Sequence, residues 1–216
     1  MMEGIRQAPK LRLWLLFAGT ALLCGQDGTL SQATSGATFG ATFGTTVVIP
    51  SGLQGLVYHL RENTKRLPEF QKLRPAGTIY TASLDIGPRD IREGFPGVTD
   101  RLEWFAIDYT GRFWIEKPGD YLFVLTSDDG SRLFIDDWVV ADNDGIHPPR
   151  IAFGRVALAG GIHRMRVSYF QGPRNHVALR LQVAAADEPL RVFSTEEFKP
   201  PPNPESWRFP DVPGKR

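Results

Sequence analysis

The chain has 216 residues, 42% hydrophobic and 11% aromatic, with 22 glycines and 17 prolines. That is enough for one ordinary domain with a real core, and the glycine and proline counts point to the many turns of an all-β fold. The formal net charge is +1, so no basic bias argues for a nucleic-acid partner, and the signature modules of nucleic-acid binding are absent.

The apolar run from Leu13 to Leu23 follows Arg6, Lys10 and Arg12, opposed only by Glu3. A basic start and a short apolar stretch predict a secretory signal over residues 1–24. The run is shorter than the ~20 apolar residues that cross a bilayer comfortably. Gly19-Thr20-Ala21 offers small residues for signal peptidase. The competing reading is a lipobox, Ala21-Leu22-Leu23-Cys24, which would place a lipid on the chain's single cysteine; Leu23 sits where that motif wants a small residue. An uncleaved anchor or a buried helix is the third. The expectation is an exported protein, secreted, periplasmic or at the outer envelope, that meets the membrane only through that lipid or an uncleaved signal. Removing residues 1–24 takes three of the 25 basic and one of the 24 acidic residues, leaving 22 against 23 and a net charge of −1.

Residues 25–46 are rich in Gly, Ala, Ser and Thr, with a tandem Ala-Thr-Phe-Gly repeat, and read as a flexible linker. A β-domain is expected over 47–196. Val47 to Ile49 and Leu56 to Leu60 read as strands, and the charged, proline-broken stretch 61–77 as a loop or one short helical turn. Residues 85–101 read as a long polar loop with Gly87-Pro88 and Pro96-Gly97 as turns. Trp104 to Ile107 and Arg112 to Ile115 read as two strands separated by a turn at Tyr109 to Gly111. Two apolar runs then flank Ser127-Asp128-Asp129-Gly130. Met165, Val167 and Tyr169 alternate with polar neighbours, as do Val177, Leu179, Leu181 and Val183. Each is a strand with one buried face, and Gly172 to Asn175 reads as the hairpin loop between them. No amphipathic helix follows the signal, so the predicted architecture is an antiparallel β-sandwich or a barrel-like sandwich. A proline-rich tail spans 197–216.

Paired carboxylates on a tight turn make Asp128 and Asp129 a hard-oxygen cluster of the kind calcium takes, with an Asp-Asp-Gly turn that caps its own backbone as the other reading. Asp142-Asn143-Asp144-Gly145 matches the start of an EF-hand loop, but the required later glutamate is missing, so a turn with side-chain capping is expected. His59, His147, His163 and His176 have no zinc spacing. No nucleophile elbow, P-loop or dinucleotide fingerprint is present, and adjacent carboxylates are poorly placed to flank a scissile bond, so no enzyme activity is expected. Trp104, Trp114, Trp138, Tyr121 and Phe134 lie in strand-like runs and are expected in the core.

Several segments in order resemble the PA14 domain, a β-sandwich module of secreted toxins, glycosidases and adhesins. They are Glu103-Trp104-Phe105, Gly111-Arg112-Phe113, Gly119-Asp120-Tyr121, Leu125 to Ser131, Leu133 to Asp136, Gly160 to His163 and Val167 to Phe170. The similarity covers roughly residues 50–193. Asp137 departs from the pattern, standing where a glycine commonly follows the aspartate; a two-residue turn tolerates it. The resemblance implies a central hairpin carrying the acidic turn. In sugar-binding members it also implies two aspartates joined by a cis peptide that hold calcium, which takes sugar hydroxyls. On this chain the calcium ligands would be Asp128, Asp129 and Asn175, with Gln171, Arg174 and Asn175 contacting a glycan. A structural or protein-interaction β-sandwich that binds neither sugar nor calcium is the alternative.

Overall fold

Strand alternation puts apolar side chains on one face of each strand, and two such sheets bury those faces against each other. The computed structural model describes residues 52–173, 175–203, 205 and 207. The expected signal, the linker, the Val47 to Ile49 strand and Arg174 lie outside them.

Among the described residues the strands are β1 (Leu53–His59), β2 (Gly77–Thr81), β3 (Asp85–Asp90), β4 (Phe105–Ile115), β5 (Gly119–Asp128), β6 (Ser131–Ile135), β7 (Trp138–Asn143), β8 (Arg150–Leu158), β9 (Gly161–Gln171), β10 (His176–Ala185) and β11 (Arg191–Val192). One sheet runs β2-β1-β4-β9-β6-β7; the other runs β11-β10-β5-β8, with β3 also pairing β10. All the pairings are antiparallel. A single core joins Phe105, Ile107, Tyr109, Leu133, Val167 and Tyr169 of the first sheet to Phe123, Leu125, Leu179, Leu181 and Val183 of the second. The predicted antiparallel β-sandwich is the observed fold.

The 61–77 stretch holds one turn of 3-10 helix, Phe70–Lys72, and places Phe70 with Tyr58, Ala106 and Phe170 in a second apolar cluster. These residues alternate with the core-facing ones, so this segment covers the outer face of the first sheet.

Five local readings are corrected. The two strands expected between Trp104 and Ile115 are one continuous strand, because all eleven residues of β4 pair with β9. Gly111 reads locally as a turn, yet serves a close crossing: a Cβ there would lie 2.7 Å from Leu53 Cδ2 and 3.0 Å from the Gly52 carbonyl. The polar loop over 85–101 begins as β3. Ile86 pairs with Leu179 and Arg89 with Val177, so Gly87 and Pro88 fall in a bulge, where proline's missing N–H costs no ladder bond. The acidic turn is not a hairpin tip: β5 belongs to the second sheet and β6 to the first. The loop over 172–175 likewise crosses from β9 in the first sheet to β10 in the second. Alternation identifies which face of a strand is buried but not which strand pairs with it. Finally, of the five aromatics expected in the core only Tyr121 is buried; Trp104, Trp114 and Phe134 are half-buried, and Trp138 stands 71% exposed beside the β6–β7 turn.

Candidate functional site

Four connections between the sheets meet at one end of the sandwich. They are Asp129-Gly130 between β5 and β6, residues 144–149 between β7 and β8, residues 172–175 between β9 and β10, and residues 91–104 between β3 and β4. A carboxylate ties three of them together. Asp129 Oδ1 accepts from the His147 backbone N–H at 3.1 Å; Asp129 Oδ2 accepts from the Gly172 N–H at 2.8 Å and from Gln171 Nε2 at 3.4 Å. The fourth is clamped to the same loop, with Ile91 N–H donating to the Asn175 carbonyl and Trp104 N–H to that of Gln171, both at 3.0 Å.

The turn itself is held from behind. The Asp128–Asp129 peptide is cis, as the resemblance implies. The Tyr169 hydroxyl sits 2.8 Å from the Asp128 carbonyl and 2.5 Å from Gln171 Oε1, and the Phe170 N–H donates to the Gly130 carbonyl at 2.8 Å. Gly130 admits no side chain: a Cβ would lie 2.3 Å from the Phe170 ring and 2.8 Å from the Gly145 nitrogen. Beneath the turn, Ser131 Oγ donates to Ser127 Oγ at 2.7 Å and Asn143 Nδ2 donates to the same oxygen at 2.9 Å.

The two carboxylates differ in their surroundings. Both are buried, Asp128 at 5% exposure and Asp129 at 3%. The Asp129 carboxyl is raised by burial, partly offset by the Gly172 and His147 N–H groups. The Asp128 carboxyl accepts no hydrogen bond among the described residues; burial, with the Asp129 charge second, pushes it up to about 6. A buried carboxylate without donors beside a second carboxylate is costly unless a cation or a proton compensates it.

That donor set fits a hard cation. Calcium takes 6–8 oxygens, including carbonyls and waters, at about 2.3–2.6 Å. Among the described residues no group of three or more His, Cys, Asp and Glu side chains is arranged to hold a metal ion. A cation held by Asp128 and Asp129 would therefore draw its remaining ligands from amide, carbonyl, water or ligand oxygens.

Asn175 lies on the 172–175 crossing, exposed, with φ of 152°. It lines a hollow of ≈ 610 Å³ together with Asp90, Arg92, Leu102 and Trp104. Gln171 is fully buried, and its amide is engaged by Tyr169, Asp129 and the His176 carbonyl, so it supports the turn from inside. Sequence reading missed the His147 and Gly172 N–H groups, the Tyr169 hydroxyl and the whole 91–104 wall. Backbone donors carry no side-chain signal, and Tyr169 was legible only as an inward strand position.

The remaining acids are structural. Asp136 and Asp137 form the two-residue β6–β7 turn with φ of 48° and 71°. Asp136 binds His163 Nδ1 at 2.6 Å and the Arg164 N–H at 2.8 Å, and Asp137 accepts from Arg164 Nη2 at 2.7 Å. Asp142 and Asn143 end β7 rather than opening a loop, and Asp144 accepts the Leu67 N–H at 2.8 Å.

A comparison with curated proteins returns no match. Residues 93–192 match the family model described as the PA14 domain. Among solved structures, a PA14 sugar-binding domain from an RTX adhesin is similar at 18% identity, over 67% of this chain and 96% of that one, with a TM-score of 0.55. The PA14 domain of the MpAFP antifreeze protein is similar at 20% identity, over 68% and 88%, with a TM-score of 0.56. An anti-sigma factor domain-containing protein is similar at 20% identity and TM-score 0.54 over 71% of this chain, which spans about half, 49%, of its length. Over residues 93–192 this chain matches the PA14 domain family, and its β-sandwich has the fold of the PA14 domains it resembles.

Proposed function

We propose that this chain is an exported carbohydrate-binding module in which Asp128 and Asp129 hold a calcium ion and the ion binds sugar hydroxyls. The observation that carries the reading is the buried Asp128 carboxylate, without a hydrogen-bond donor among the described residues, next to an Asp129 carboxylate fixed by N–H groups from two other crossings. That arrangement leaves carboxylate oxygens directed by the fold and uncompensated in charge. Calcium supplies the charge and accepts oxygen ligands from solution. Asn175, on the neighbouring crossing, supplies an amide to the ion or to the sugar, and Arg174 bonds further hydroxyls. The similar domain from an RTX adhesin is a sugar-binding one, which supports the substrate class. The leader-like residues 1–24 support export.

Binding rather than catalysis follows from the same geometry, since adjacent residues of one turn approach a ligand from one side. A protein-interaction module is the second reading, favoured by Trp138, Ile151 and Phe153, exposed at 71%, 61% and 71% on the adjoining strands β7 and β8. A glycan array probed in calcium and again in chelator separates the two. Calcium-dependent retention of neutral sugars, lost in Asp129→Ala, is the expected result. Sugar retention that survives chelator and Asp129→Ala would overturn the calcium mechanism, and no retention of any sugar would overturn the carbohydrate reading.

A further inference from the structure

The second sheet is apolar on both faces. Its inward positions build the core, and alternation turns the intervening positions of β5, β8 and β10 outward. An antiparallel sheet that meets water on one face carries polar residues there. This one does not. Val124 of β5 lies between Phe153 of β8 and Gln182 of β10, and Val192 of β11 follows Gln182. The row nearer the acidic turn is Ile151, Thr126 and Arg180; the row on the other side is Arg155, Leu122 and Ala184. Ile151 and Phe153 stand 61% and 71% exposed, so no described segment covers them. The outer face of the first sheet differs, because the 61–77 segment lays Phe70 over it.

The charges on this face narrow what it fits. Arg180 is paired with Asp85 at 2.6 Å. Asp120 and Arg155, both exposed, form no ion pair among the described residues. They are one acid and one base, so the face carries no net charge. An anionic lipid surface is met by clustered basic residues, which this face lacks. An extended peptide adds to a strand edge through free backbone groups, whereas β5, at the centre of this face, is paired on both sides. A neutral apolar face with one unpaired charge of each sign is complementary to itself, the condition for an isologous two-fold contact. Its size sets the strength. The paired length of β5 and β8, across four strands ~4.8 Å apart, spans roughly 500 Å² per copy. Two copies remove on the order of 1,000 Å² from water, the low end for a specific interface, so the contact is weak and reversible.

We propose that the outer face of the second sheet, centred on Val124 and Phe153, binds the same face of a second copy of this chain. The two sheets stack face to face, about 10 Å apart, as the two sheets within one sandwich do. Phe153 and Ile151 are the anchors, since they are the large apolar side chains that the face leaves most exposed. The inference is independent of the carbohydrate reading: sugar and calcium binding at the acidic turn neither require this contact nor follow from it.

Sedimentation equilibrium of the whole chain over a wide concentration range tests it, in chelator so that the acidic turn is out of the measurement. The expected result is a reversible monomer–dimer equilibrium with a Kd on the order of 10 μM. Phe153→Glu and Ile151→Glu, both at exposed positions that spare the fold, should each raise that Kd at least about tenfold. Tyr80→Glu, at a 68% exposed position on β2 of the other sheet, should leave it within about twofold. A monomer at every concentration overturns the proposal. So does a dimer that survives both glutamate substitutions, or one that Tyr80→Glu weakens as much. A monomer that co-sediments with phosphatidylcholine or phosphatidylglycerol vesicles, and loses them in Phe153→Glu, also overturns it and assigns the face to a lipid surface.

Discussion

Replacing Asp128 by asparagine should stabilise the calcium-free protein. The substitution keeps the shape of the turn and removes one of two buried negative charges. Burial, and then Asp129, raises the Asp128 carboxyl from 3.8 to about 6. Between those values the native state holds a proton that the unfolded chain has released, so stability falls as pH rises through this window and remains lower above it. A shift of about two units corresponds to ~3 kcal/mol, and screening at the turn reduces this to roughly 1–3 kcal/mol at pH 7. For a domain of this size that is roughly 3–10 °C in melting temperature. Thermal melts in chelator from pH 4 to pH 7 measure it. The wild type should lose stability across the window, and Asp128→Asn should stay nearly level and melt higher at pH 7. Added calcium should reverse the order, since a ligand at 1,000 times its Kd contributes ~4.1 kcal/mol to the wild type alone. A chelated Asp128→Asn protein that melts at or below the wild type at pH 7 would refute the reasoning.

Three further outcomes follow from the same contacts. Tyr169→Phe removes the hydroxyl between the Asp128 carbonyl and Gln171 Oε1, leaving buried acceptors unsatisfied; chemical denaturation should show a loss of about 1–3 kcal/mol, and a neutral result would mean the hydroxyl does not hold the turn. Gly154→Ala puts a Cβ 1.8 Å from the Val140 carbonyl where β8 passes β7, so the same assay should show a loss of about 3 kcal/mol or more, and a wild-type midpoint would contradict the close packing. Burial lowers the His163 imidazole and its hydrogen bonds to Asp136 and the Ala159 carbonyl more than offset this, so its pKa is raised. Its stabilisation is complete below 6.5 and is lost as pH rises through the raised value; Asp136→Asn should flatten that part of a melt–pH profile, and an unchanged slope would assign it elsewhere.

How much of this was legible depended on which forces are local. The alternation of Val177, Leu179, Leu181 and Val183, all of them buried, announced a one-faced strand directly. So did the Asp136-Asp137 turn, whose two positive φ angles suit short polar residues. Pairing was not local. Tyr109 to Gly111 has turn composition, yet the ladders on both sides of β4 keep it extended. The strand β2 carries no strong alternation and forms as an edge against β1. At the candidate site, Asp128 and Asp129 stood out because two charged residues next to one another are conspicuous in any sequence. The groups that position them did not, because His147 and Gly172 act through backbone N–H and arrive from connections 18 and 43 residues away. The hairpin reading of both turns failed for one reason: a crossing between sheets and a hairpin leave the same alternation behind.

The central claim is that Asp128 and Asp129 together bind a calcium ion. Isothermal titration of calcium into the chelator-stripped whole chain tests it most directly. The account predicts one ion per chain, with the heat abolished in both Asp128→Asn and Asp129→Asn. No heat in the wild type, or a single-site isotherm that survives either substitution, would contradict it.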